Sequence, residues 1–243
     1  MKILLICLLF LAACKNHPPP ANKIIEAKDV FTSMKDPFLN FIPDSLKHFI
    51  PIFDSVFVQD QLYRSLNDES LLLKNKTQQH RLDSINQVIV FDFLDTYGYP
   101  SMKQVGLKGV TAINAVIQHS PIRSQEKYFP VIVQAYKDKK LNGESLAMLE
   151  DRINIRNKRR QYYGTQVAQV IKTKKYTLYP VHNIDSVNIY RKNIGALMPI
   201  EQYLKNFFHT DWDFKMYEKY KKAVELQFKI NDSPSLHIPI NGL

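Results

Sequence analysis

Cysteine is nearly absent. The 243-residue chain has two, Cys7 and Cys14, and none follows Cys14. A body without thiols forms no disulfide, offers no cysteine nucleophile and builds no thiolate metal site. A chain of this length can bury a sizeable core without such staples. Glycine is also scarce, with seven residues. None falls in a G-x-G-x-x-G or Walker loop or in a G-x-S-x-G elbow, which excludes those phosphate cradles and that nucleophile by motif. The seven histidines form no H-E-x-x-H, and no two stand at helical ligand spacing. No acidic loop matches an EF-hand. No metal site and no cofactor is therefore expected. The longest apolar run, near the N-terminus, falls well short of the roughly 20 residues that cross a bilayer.

That short run is nonetheless informative. Lys2 precedes an apolar stretch over 3–11, and small residues then lead into a cysteine, the layout of a secretory leader. Leu11-Ala12-Ala13-Cys14 resembles the lipobox of bacterial lipoproteins. The resemblance implies a signal peptide over 1–13 and cleavage before Cys14. Diacylglycerol would then sit on the Cys14 sulfur and a further acyl chain on its nitrogen. Several acyl chains at about 0.8 kcal/mol per buried methylene make a stable anchor. Lys15 follows the lipid site where some lipoproteins carry aspartate, which by analogy favours the outer membrane. Residues 15–22, with Pro18-Pro19-Pro20 at their centre, read as a stiff tether behind the lipidated cysteine. The formal charge of +10 suits anionic partners. Export excludes nucleic acid as a sensible one, leaving membrane contact through Cys14 and an envelope protein or anionic polymer.

The remainder, 23–243, predicts a mainly α domain, stacked antiparallel helices in one compact domain with a small β-hairpin. Pro37, Pro43 and Pro51 divide the first part into short pieces. Asn67 and Asp68 are candidate caps of a long helix reaching Tyr97, whose inward face is read as Leu82, Ile85, Ile89 and Phe93. Gly98 and Pro100 stop it. A second helix covers about 106–119, with Val110, Ile113 and Ile117 on one side. A third covers 124–139 through Pro130, with Phe129, Ile132, Val133 and Tyr136 inward. Asn142 caps a fourth, whose core stripe is Leu146, Leu149 and Ile153. The segments 167–171 and 176–179 form the hairpin around a turn at 172–175. Helices follow over 184–194, 199–208 and 214–228, and the tail after Asn231 is extended.

The polar residues set into these helices carry the functional interest. Gln118 and His119 end the second helix, and Glu150, Asp151 and Arg152 interrupt the fourth. Glu150 lies four residues after Leu146 and three before Ile153, so its carboxylate falls on the core stripe and needs a partner or a raised pKa. Gln161, Tyr163, Gly164, Thr165 and Gln166 form a polar turn entering the hairpin. Together, the Q-H, E-D-R and Q-x-Y-G-T-Q groups resemble a bacterial domain family of unknown function. Asp60-Gln61-Leu62-Tyr63-Arg64, Asp83-x-x-Asn86, Gly98-Tyr99-Pro100 and Pro199-Ile200-Glu201-Gln202-Tyr203 extend the resemblance over about 60–204. Ser120-Pro121 stands where many relatives have an acidic residue after the histidine. The resemblance implies a grouping and no activity.

Each residue of the set has two readings. His119 is a candidate acid or base, or a cation closing its helix at the negative end of the dipole. Glu150 is the other acid/base candidate. Arg152 binds an anionic ligand, or pairs with Asp83 or Glu150. Gln118 and Asp151 belong to the same ligand-binding set. Gly164 permits a positive φ; Gln161 and Gln166 read a ligand or satisfy the turn; Tyr163 lines a pocket or packs in the core. Two functions follow. One is an envelope lipoprotein serving as a binding or scaffold module. The other is a periplasmic small-ligand-binding or hydrolytic domain with a polar pocket around His119, Glu150, Arg152 and Gln166. Whether it is an enzyme stays open at this point.

Overall fold

The computed structural model describes residues 44–64, 69–171, 176–196, 198–208, 211, 213–231 and 233–238. The leader, Cys14, the tether, the caps Asn67 and Asp68 and the turn 172–175 lie outside the described residues. Among the described residues the fold is mainly α with one two-stranded antiparallel sheet. The chain divides between Ser120 and Pro121 into two compact units.

The first unit holds α1 (Asp44–Lys47), α2 (Ile50–Gln61), α3 (Glu69–Tyr97) and α4 (Met102–His119). Pro51 opens α2 rather than breaking it, because the first turn of a helix has no use for the missing amide donor. Phe53, Val56, Phe57 and Asp60 are the buried positions of α2, one helical stripe that packs chiefly on α4. Asp60 thus sits where an apolar residue would normally continue the core. On α4, Val110, Ile113 and Ile117 are buried as their spacing predicts. The regular helix starts at Leu107, since Gly106 has φ +75° and separates a preceding turn. Gly98, with φ +70°, ends α3.

The inward face of α3 differs from the expected one. Ile85 is 44 % exposed, while Gln79, Asn86 and Val90 are buried beside Phe93. Polar side chains hold part of the stripe through their amide nitrogens: Gln79 donates to Asp83, and Asn86 donates to the Val56 carbonyl. Ile85 and Val88, the more apolar choice, face outward.

The second unit holds α5 (Ile122–Lys137), α6 (Gly143–Arg156), β1 (Val167–Gln169), β2 (Tyr176–Leu178), a 3-10 turn (Ile184–Ser186), α7 (Val187–Asn193), α8 (Ile200–Phe208) and α9 (Phe214–Phe228). Asn142 caps α6 as expected, its side chain accepting from the Ser145 amide at 2.8 Å. The neighbouring Gly143 is dictated by crowding, since a Cβ there would lie 1.6 Å from the Ile194 carbonyl oxygen. Leu146, Leu149 and Ile153 are at most 1 % exposed. On α5, Phe129 and Ile132 are buried as read, whereas Val133 and Tyr136 are half-buried and Gln125 and Tyr128 fill the stripe. The strands pair Val167 with Leu178, Ala168 with Thr177 and Gln169 with Tyr176. Ala168, Val170, Tyr179 and Val224 form a small core that joins the hairpin region to α9.

Candidate functional site

The polar residues fall into three groups, one in the first unit and two in the second. In the first unit the ends of α2 and α4 bring Asp60 and His119 together. His119 Nδ1 lies 2.9 and 3.1 Å from the two Asp60 carboxylate oxygens. A carboxylate only accepts, so Nδ1 carries the hydrogen and donates to Asp60. Arg64 Nη1 donates to Asp60 at 3.1 Å, and Nη2 donates to both oxygens of Asp83 at 2.8 and 2.7 Å. Gln61 adds a 2.6 Å bond to Asp60. Burial pushes the Asp60 pKa up, but the charge and hydrogen bond of His119, the charge of Arg64 and the Gln61 hydrogen bond outweigh it and hold the carboxyl below its usual range. Chemically this is an oriented imidazole backed by a buried carboxylate, capable of proton transfer and equally of clamping three helices.

The second group surrounds Asp151, which is fully buried. Its Oδ1 accepts from the amides of Tyr162 and Tyr163, and its Oδ2 accepts from the amide and hydroxyl of Thr165, all between 2.8 and 3.1 Å. One carboxylate thereby folds the Q-x-Y-G-T-Q turn onto α6. Gln161 completes the turn: its amide nitrogen donates to the carbonyls of Gln166 and Tyr179, and its oxygen accepts from the Gln166 amide. Gln166 Nε2 donates to the Thr165 hydroxyl. Gly164 has φ +68°, and a Cβ there would come within 2.8 Å of Ile200. Tyr163 is fully buried, and among the described residues its hydroxyl has no hydrogen-bond partner. Arg191 supports the turn from below, donating to the Tyr163 and Met198 carbonyls and pairing with buried Glu144 at 3.1 Å. Its guanidinium lies over the Tyr203 ring.

The third group is built on Glu150, which the α6 stripe buries completely, as its spacing predicts. Its Oε1 meets His237 Nδ1 at 3.0 Å, and its Oε2 accepts from the Ile238 amide at 3.4 Å. The His237 ring stacks on Tyr162 at 3.9 Å between centroids. Burial pushes the Glu150 carboxyl up to about 7, with neighbouring Asp151 adding to the shift and the His237 bond opposing it. The unfolded chain therefore binds fewer protons than the folded one between the ordinary value of 4.5 and about 7. Stability falls as pH rises through that window, by roughly 3 kcal/mol at most. Glu150→Gln lacks this loss, so the melting temperature of the variant relative to wild type is expected to climb from pH 5 to pH 8. Parallel curves for the two proteins would show that the carboxylate is not held neutral.

The candidate residues are thus distributed. His119 and buried Gln118 lie in the first unit, and Glu150, Asp151, Arg152, Gln161, Tyr163, Gly164, Thr165 and Gln166 lie in the second. Arg152 is half-buried on α6; Asp83 is held by Arg64, and Glu150 by His237. Sequence reasoning missed Asp60, Arg64, Glu144, Arg191 and His237 as members of these groups. Asp60 had a signal, an acid seven residues after Phe53 on an apolar stripe. Arg191 and His237 had none, because their partners are distant along the chain. Among the described residues no group of three or more His, Cys, Asp or Glu is placed to hold a metal ion.

Fold and site together define a mainly α protein in which a polar turn is closed on a buried aspartate. The chain belongs to a family of unknown function, DUF6624, matched over residues 54–215. Searches of curated proteins and of solved structures return no match.

Proposed function

We propose that this chain is a lipid-anchored protein of the bacterial cell envelope, held at the outer membrane through Cys14, and that it works as a binding or scaffold module. The observation that supports the module reading is the Asp151 carboxylate, whose four hydrogen bonds all go to the Tyr162–Thr165 turn. The role of this turn is thereby accounted for by architecture, without a reacting group. The lipobox-like Leu11-Ala12-Ala13-Cys14 supports the address, and the basic composition suits an envelope protein or an anionic polymer. Two measurements test the reading. Cys14→Ser is expected to move the protein from the membrane to the soluble fraction; retention in the membrane refutes the anchor. Crosslinking of the anchored protein in intact envelopes is expected to give discrete adducts, and none at all refutes the module.

A hydrolytic reading is favoured by one observation, the oriented His119–Asp60 pair. The two readings differ in what His119→Ala does. As a clamp, the imidazole satisfies a buried carboxylate, so its loss costs about 1–3 kcal/mol. At roughly 2–4 °C per kcal/mol, the melting temperature then falls by several degrees. That fall is the expected result. An unchanged or raised midpoint favours the hydrolytic reading, since residues kept for chemistry commonly contribute no stability.

A further inference from the structure

The C-terminal segment lies along α6 in the manner of a bound ligand. Its backbone is read at alternate residues. The Leu236 amide donates to Asn154 Oδ1 at 2.7 Å, and the Leu236 carbonyl accepts from Asn154 Nδ2 at 2.8 Å. The Pro234 carbonyl accepts from Arg159 at 3.5 Å, and the Ile238 amide reaches Glu150. The intervening side chains are used as well: Ser235 donates to the Arg160 carbonyl at 2.7 Å, and His237 meets Glu150 while stacking on Tyr162. This period of two is that of an extended strand. A side-chain amide that pairs with the N–H and C=O of one residue recognises peptide backbone whatever its sequence, and an adjoining pocket adds the selectivity. Here the pocket is a carboxylate beside an aromatic face, which suits an imidazole.

The two sides of this contact also fall differently against the family match. Glu150, Asn154 and Tyr162 lie within the matched family region, whereas 233–238 lies beyond its end at residue 215. Asn154 and Glu150 are both fully buried while the segment is in place. We propose that this face of α6 is a receptor groove for an extended, histidine-bearing peptide, and that the chain's own C-terminal segment occupies it as an internal ligand. The proposal rests on the binding reading above and names the class of partner. A tethered segment competes at an effective concentration in the millimolar range, so an outside peptide gains access when the segment is displaced.

The test uses a fluorescein-labelled peptide with the sequence of residues 231–238 and the full mature chain. The chain is compared as wild type and with Leu236→Pro plus His237→Ala, which remove the amide that Asn154 accepts and the ring that Glu150 holds. The released form is expected to bind the peptide at least tenfold more tightly than wild type. Adding Asn154→Ala, or replacing the peptide's histidine by alanine, is expected to weaken binding at least tenfold. Equal binding by released and wild-type chains of matching circular dichroism overturns the proposal, as does indifference to the peptide's histidine. If the released form does not fold, hydrogen exchange on the wild type decides. Saturating peptide should speed exchange in 233–238 and leave α6 slow; no change overturns the proposal. Envelope adducts that form with the wild-type chain while the peptide fails to bind the released form would remove the groove and leave the module reading standing.

Discussion

Asp151→Ala is expected to lower the stability of the protein by about 4 kcal/mol, a fall of roughly 10 °C in melting temperature. The reason is what the substitution leaves behind. Three backbone amides, those of Tyr162, Tyr163 and Thr165, lose their acceptor, as does the Thr165 hydroxyl. Tyr163 and Thr165 are fully buried, so water cannot simply replace the carboxylate. A buried donor left unsatisfied costs about 1–3 kcal/mol, and several share one cause here. Asp151→Asn is the informative companion. It keeps an oxygen for the Tyr162 and Tyr163 amides but turns an N–H₂ toward the Thr165 donors, so an intermediate loss is expected. Thermal unfolding of both variants checks the order. Equal, small losses would mean that the turn is held by Gln161 and Arg191 alone.

The same residues show what a local pattern can and cannot reveal. Asn142, the stripe Leu146, Leu149 and Ile153, and the position of Glu150 on it all follow from spacing along one helix, and all stand in the structure. The inward face of α3 does not follow, because apolarity favours Ile85 whereas Asn86 and Gln79 win the buried positions through hydrogen bonds. Burial of a polar residue is decided by whether a partner waits for it, and the partner is seldom local. His237 reaches Glu150 across 87 residues, and Arg191 reaches Glu144 across 47. His237 also sits in a segment whose prolines mark it only as extended. A carboxylate on a core stripe therefore announces that a partner exists, and tertiary structure alone supplies its identity.

The Glu144–Arg191 pair turns that point into a measurement with an unequal result on its two sides. Arg191→Met is expected to cost about 3–5 kcal/mol, because it strands a carboxylate that is 2 % exposed. It also removes the donors that satisfy the Tyr163 and Met198 carbonyls. Glu144→Gln is expected to cost only about 1–2 kcal/mol, because the guanidinium keeps both carbonyls and the Tyr203 face, and the glutamine oxygen still accepts a hydrogen bond. Combining Arg191→Met with Glu144→Gln should recover roughly half of the larger loss, since the stranded charge disappears while the two carbonyls remain without their donor. Denaturant unfolding of the two single variants and the double variant gives all three values. Equal single losses with no recovery in the double would show that the charge is not what the arginine answers, and that its bonds to the turn carry the whole effect. The expected asymmetry instead makes Arg191 a structural cation that joins the cap of α6 to the Tyr163 turn.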